Sequence, residues 1–222
     1  MTSDLFAPDP LIDGLVADLR PARPRRVWRE AAFLAGLVVA ELIVFLVLRD
    51  LRPDIGDAMT SMAFWWKLLS LMALALLAAA ATLVSLDPAT TTLRETTGVW
   101  RALALAATVI LAIGWAIDAG APGDATLAAR LGWREGGKCL AAILLLSLPL
   151  IMVFGVLMRK GASTHPRRTA SAAGLAAAGL AAGVFALHCP HDDPLYIVAW
   201  YGSAAGLVGG LAWAVLPRLS RW

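Results

Sequence analysis

Charge is scarce in this chain. Only 16% of its 222 residues are Asp, Glu, Lys or Arg, and 59% are hydrophobic, whereas a soluble domain is typically ~25% charged. With a mean hydropathy of +0.73 it has too little polar surface to cover itself in water. A water-soluble globule is therefore excluded, although the length alone would allow one or two soluble domains. Cysteine is scarce too: two residues, Cys139 and Cys189, exclude a disulfide-rich scaffold or a structural zinc ribbon. There is no CxxC of the kind that marks a thiol oxidoreductase. A Gly-rich phosphate loop, an HExxH and an interpretable Ser/His/Asp arrangement are also missing, so nothing points to an enzyme. The first thirty residues carry acids and prolines, and no apolar stretch begins before Ala31. They read as a tail rather than a cleavable signal.

What the chain does have is apolar length. A helix needs ~20 mostly apolar residues to cross a bilayer, and six runs qualify: Ala31–Leu48, Met62–Leu86, Arg101–Asp118, Cys139–Met158, Thr169–His188 and Leu195–Pro217. Backbone groups cannot go unpaired in lipid, so these runs must be helices. The expected fold is all-α, a polytopic transmembrane bundle over residues 31–222 preceded by a tail at 1–30.

The net charge of +3 and pI of about 9.2 do not indicate a nucleic-acid partner, because the basic residues lie in short segments between apolar runs. With the N-terminus inside, one side holds Arg20, Arg23, Arg25, Arg26, Arg29, Arg94, Arg101, Arg159, Lys160, Arg167, Arg168, Arg218 and Arg221. The other holds only Arg49, Arg52, Lys67, Arg130, Arg134 and Lys138. Positive charge accumulates on the cytoplasmic side, so both termini are expected there. Trp28, Trp65, Trp66, Trp100, Trp133, Tyr196, Trp200 and Trp222 fall near the predicted interfaces, where amphipathic rings concentrate.

Small residues recur every fourth position in the last two spans: Gly179 and Gly183, then Gly202, Gly206 and Gly210. Such spacing lets backbones approach closely, either within one bundle or across a homodimer face. Pro149 is expected to kink the fourth span, with Ser147 satisfying the freed carbonyl. Two charges lie inside apolar runs, Glu41 in the first and Lys67 in the second, at nearly matched depth. A buried charge in lipid needs a partner or water. An interhelical Glu41–Lys67 ion pair is one reading; a snorkelling Lys67 beside a protonated Glu41 is the other.

Cys139 opens the fourth span and Cys189 follows the fifth, so both belong to the non-cytoplasmic surface. Cys189 sits in a polar cluster with His188, His191, Asp192 and Asp193. Two chemistries fit: a disulfide if the Cα atoms come within ~7 Å, or a soft-metal site of two thiolates with imidazoles or Asp192. A plain polar turn with two coincident cysteines is the third reading.

The tail segment DPLIDGLVADLR has Asp9 as an N-cap and Pro10 at the first helical position. Leu11, Ile12, Leu15, Val16 and Leu19 then share one face. So short a helix is marginal alone, and its acidic polar face is unsuited to an anionic membrane surface. A protein groove is the better partner. The Arg20–Arg29 stretch reads as a stiff basic stalk near the lipid.

LIDGLVADLRPARP in the tail, KCLAAILLLSLPL at the fourth span, LHCPHDDPLYIVAWYG through the fifth-to-sixth turn and the closing PRLSRW together resemble the NrsF family of bacterial membrane anti-sigma factors. The resemblance runs over essentially the whole chain, and its most specific element is HCP…DDP…WYG. It implies that the tail, through Leu11, Ile12, Leu15, Val16, Leu19 and Arg20, sequesters an extracytoplasmic-function sigma factor. It also implies that Cys139 and Cys189 sense heavy metal or oxidative stress. No cofactor is then required, and a soft metal ion would act only as a transient signal. An acidic residue is commoner in the family where this chain has His191, which leaves the thiol pair intact and adds a candidate ligand. A small-ion transporter is the rival reading, but beyond Glu41 and Lys67 few polar residues would line its path.

Overall fold

The computed structural model describes residue 14 and residues 26–86, 93–120, 126–161 and 163–219, with the backbone alone at 93–96. The tail residues Leu11, Ile12, Leu15, Val16, Leu19 and Arg20 lie outside the described residues. Every regular element among the described residues is helical: α1 (Val27–Leu48), α2 (Ile55–Ala58), α3 (Met62–Ser85), α4 (Leu93–Ala119), α5 (Leu127–Leu131), α6 (Trp133–Lys160), α7 (Pro166–Ala186) and α8 (Pro194–Leu219).

Six of these, all but α2 and α5, are long and apolar enough to cross a membrane. Each contains nearly all of one apolar run, and several extend a turn or more into flanking charged residues; α6 begins at Trp133, six residues before Cys139. The periodic signal marks where side chains are apolar, whereas the backbone ladder continues into the interface. The short α2 and α5 are additions that the apolar runs did not predict. Gly132, at φ +46°, turns the chain between α5 and α6 in a left-handed conformation that glycine adopts without steric cost.

The bundle is organised around α7, whose sequence is mostly Ala and Gly. Fifteen of its residues are buried, because small side chains let α3, α6 and α8 close on it. A Cβ on Gly174 would lie 2.8 Å from Gly209 Cα and 2.9 Å from the Val208 carbonyl of α8. A Cβ on Gly179 would lie 2.8 Å from Ala75 Cβ of α3, and one on Gly183 would meet Met72. The Gly179/Gly183 pair therefore serves packing inside the bundle. Gly202, Gly206 and Gly210 have open space where a Cβ would be, so only that stripe keeps the homodimer alternative.

Helix α4 packs on α3, and α1 leans lightly on α7 and α6 with Leu34 its one buried residue. Two interface tryptophans prove to be packing residues: Trp66 is buried above Gly114 and donates to the Ile110 carbonyl at 3.1 Å, and Trp200 fits over Gly136 and donates to the Leu131 carbonyl at 2.7 Å. Ser147 donates to the Leu144 carbonyl at 2.8 Å, not to the carbonyl of residue 145 that Pro149 leaves free.

Candidate functional site

Helices α6 and α7 are neighbours, and the loop 187–193 that follows α7 folds over the end of the bundle where α6 begins. This brings Cys139 Sγ to 3.7 Å from Cys189 Sγ, with both thiols free and buried. Tyr196, fully buried at the start of α8, places its hydroxyl 3.1 Å from Cys139 Sγ. The S–S bond is ~2.05 Å long, so a displacement of under two ångströms separates the two thiols from a disulfide. Cys139 hydrogen-bonds to Cys189 and holds the Cys189 thiol below its usual range, against the opposing effect of burial; the nearby Lys67 ammonium adds to the lowering.

The loop is held in place by cations. Lys67, completely buried near the start of α3, donates to the carbonyls of Cys189 at 3.0 Å and His191 at 3.2 Å and forms an ion pair with Asp192 at 2.5 Å. Arg52, 3% exposed, donates to both Asp192 oxygens at 2.8 and 3.0 Å, to the Pro190 carbonyl at 3.2 Å and to Asp54 at 2.7 and 2.8 Å. Its hydrogen bond to Asp54 holds that carboxyl at about 2. The Arg52 amide donates to the Leu187 carbonyl at 3.2 Å, and His188 Nδ1 lies 2.6 Å from the Asp50 carbonyl. Segment 49–54, the direct continuation of α1, is thus tied to the cysteine loop along its length.

A second cluster anchors the far side of the loop. Arg130 of α5 reaches Asp193 at 2.8 Å and Asp118 at the end of α4. Asp193 also accepts from the Leu195 amide at 2.8 Å and so caps α8. Burial would raise the Asp193 carboxyl, but Arg130 and the two amides at the start of α8 outweigh it and leave the group below its ordinary value.

The expected Glu41–Lys67 pair is not formed. Lys67 is engaged by Asp192 and two carbonyls, and both Glu41 carboxylate oxygens are buried without a hydrogen-bond partner. The two residues match in depth but not in direction, since α1 docks against α6 and α7 rather than α3. Snorkelling is excluded by the complete burial of Lys67. The five-residue metal set of Cys139, Cys189, His188, His191 and Asp192 is not assembled either: among the described residues no three His, Cys, Asp or Glu side chains converge on a metal-sized space. Asp192 is neutralised by two cations, His188 bonds to Asp50, and the His191 ring stacks on Tyr196 with centroids 4.5 Å apart.

Arg52, Asp54, Asp118 and Arg130 were not read as site residues in the sequence, and Asp193 and Tyr196 entered only as a member of the polar cluster and as an interface aromatic. The available signal was scarcity: in so weakly charged a chain, every cation and acid on the cysteine side is a candidate for pairing.

A family profile described as "Negative regulator of sigma F" matches residues 15–222. The chain belongs to the NrsF family. A relative from Caulobacter vibrioides (strain NA1000 / CB15N), the anti-sigma-F factor NrsF, is 33% identical over 95% of this chain and 98% of its own length. No solved structure matches. The matched range takes in both cysteines, the cationic clamp and the tail from residue 15 onward.

Proposed function

We propose that this NrsF-family member is an anti-sigma factor of the bacterial inner membrane, with both termini in the cytoplasm. Its N-terminal segment holds an extracytoplasmic-function sigma factor, and joining Cys139 to Cys189 in the periplasmic half releases it. The single observation that carries the redox part is the 3.7 Å separation of two buried free thiols in antiparallel elements. A disulfide is favoured over a tetrahedral ion such as zinc because such a site needs further ligands, and the neighbouring imidazoles and carboxylate are already engaged. The orientation is supported by the excess of Lys and Arg at the end opposite the cysteines.

The route from thiols to tail runs through the clamp. Closing the S–S bond draws the loop 187–193 toward α6. Arg52 and the Leu187 and His188 contacts tie that loop to segment 49–54, which leads straight into α1, and α1 leads into the tail. Since α1 is lightly packed, it is the element most easily displaced.

The experiment uses a reporter for the sigma-dependent genes. Leu15→Asp with Leu19→Asp removes the apolar face and turns the reporter on without stress; sustained repression in that variant rejects the tail as the binding element. Cys139→Ser or Cys189→Ser keeps repression but abolishes induction by a thiol oxidant; induction that survives either change rejects the switch.

A further inference from the structure

Helix α1 meets the rest of the bundle over a short stretch. Leu34 is its one buried residue, and along α1 a hollow against α6 lies on each side of that contact. The hollow toward the thiols, about 880 Å³, is bordered by Arg49 and Lys138 and includes Glu41, whose carboxyl oxygens are buried in its wall. The hollow at the opposite end, about 520 Å³, is walled by Phe33, Met152 and Val156 and carries Arg29, Glu30 and Lys160.

The cations stand at the two headgroup levels of a bilayer. About 30 Å of helix separates Arg29 from Arg49, which equals the ~30 Å thickness of the hydrocarbon core. Lys138 and Lys160 are ~33 Å apart on α6 by the same measure. Each hollow thus has one cation from α1 and one from α6 at headgroup depth, with apolar walls reaching inward from them.

The 520 Å³ hollow faces the bilayer, since Phe33 and Met152 are 61% and 65% exposed. It runs ~12 Å along α6 from Lys160 to Met152, most of the ~15 Å depth of one leaflet. There is no water at that depth, so an acyl chain fills the groove.

Charge selects the headgroup. Among the described residues no carboxylate is ion-paired with Lys160, and Arg29 lies 6.0 Å from the centre of the Trp28 ring. Glu30 offsets one of the two positive charges at most, and Arg159 adjoins Lys160, so the rim stays positive. The ammonium of phosphatidylethanolamine would meet these cations. Phosphatidylglycerol or cardiolipin brings a phosphate with no ammonium beside it, and basic pockets between transmembrane helices bind such headgroups.

We propose that the α1–α6 groove at Arg29 and Lys160 binds an anionic phospholipid. Its phosphate pairs with the two cations, and its acyl chain fills the space between the helices. The lipid completes the contact that the protein leaves open beside Leu34. Only the assignment of this groove to the cytoplasmic leaflet rests on the orientation proposed above. The binding does not, and nanodisc leaflets of equal composition test it in either orientation.

The experiment places the full chain in phosphatidylcholine nanodiscs with a small fraction of phosphatidylglycerol or phosphatidylcholine carrying a diazirine on the acyl chain. Mass spectrometry locates the labelled peptides, and the exposed face of α4 over residues 105–115 is the reference. Phosphatidylglycerol should label residues 29–33 and 152–157 at least about tenfold more than phosphatidylcholine does, relative to that reference; two cations at ~1 kcal/mol each exceed the 1.4 kcal/mol that tenfold requires. Arg29→Gln with Lys160→Gln, both exposed side chains, abolishes the preference, whereas Arg49→Gln with Lys138→Gln keeps it. Val156→Trp obstructs the groove and lowers labelling by both lipids while the cations remain. Unlabelled phosphatidylglycerol competes; phosphatidylethanolamine and inorganic phosphate do not. A preference no greater than at α4, one that survives loss of both cations, or labelling unchanged in Val156→Trp overturns the site. Displacement by inorganic phosphate overturns it as well, because the ligand would then be an ion and not a lipid.

Discussion

The ammonium of Lys67 lies 3.0 Å from the carbonyl oxygen of Cys189, so a cation buried in the membrane domain holds the backbone that carries one of the two thiols. Breaking a buried ion pair by removing one partner typically costs ~3–5 kcal/mol. Asp192 keeps its second cation, Arg52, which places Lys67→Met at the low end, about 3 kcal/mol. Thermal unfolding in detergent measures this. The same variant frees the Cys189 backbone, so maleimide reacts faster with the reduced protein. A variant with unchanged melting and unchanged labelling would show that the clamp does not hold the loop.

The clamp also has a pH signature. Asp54 in the folded protein titrates at about 2, below the ~3.9 of an unfolded chain. Its contribution to stability is therefore complete above pH ~4 and disappears as pH falls through about 2. Asp193 is shifted in the same direction. The difference in melting temperature between wild type and Asp54→Asn should stay constant from pH 6 to ~4 and close by pH ~2. A difference that instead closes between pH 6 and 5 would mean that Arg52 does not depress this carboxyl.

Much of this was legible in the sequence, and the part that was not has one physical cause. Apolar length located six spans, because a bilayer admits only that solution. That Cys139 and Cys189 lie at the same membrane surface was legible from the order of the spans, whereas their contact was one of three open readings, because span order fixes a residue's level and not its lateral neighbour. The Glu41–Lys67 pairing failed because hydropathy reports depth along the membrane normal and says nothing about the rotation of a helix or which neighbour it meets. Lys67 faces the loop after α7, which carries Asp192 and two free carbonyls, while Glu41 faces a cavity. The short helices Ile55–Ala58 and Leu127–Leu131 were invisible because a single turn has no periodicity to detect.

The two glycine stripes should respond differently to substitution. Gly174 contacts Gly209 and Val208 closely enough that any Cβ overlaps backbone, and overpacking of this kind costs ~1–3 kcal/mol. Gly174→Leu should lower the melting temperature sharply and loosen α7 from α8. Gly202→Leu enters open space and should change stability by less than about 0.5 kcal/mol in the monomer. Analytical ultracentrifugation of the same pair reports on the open stripe: loss of a dimer in Gly202→Leu alone would assign it to self-association, and an unchanged mass would leave it facing lipid.

In the proposed switch, linkage gives the thiol pair a quantitative obligation to the tail. Moving the sigma factor from 99% bound to 99% free requires the disulfide form to bind it ~10⁴-fold more weakly, ~5.5 kcal/mol. The coupling is reciprocal, so the bound sigma factor must favour the dithiol by the same amount. For a two-electron couple, 30 mV is ~1.4 kcal/mol, which makes the expected shift about 120 mV toward more positive reduction potential in the complex. Redox titration of the full chain with and without saturating sigma factor measures it. In Arg52→Ala, which unties segment 49–54 from Asp192 and Pro190, the shift should shrink while the potential of the free protein still shows a working dithiol. Equal potentials with and without partner in the wild type would mean that the cysteines and the tail do not communicate, whatever each does alone.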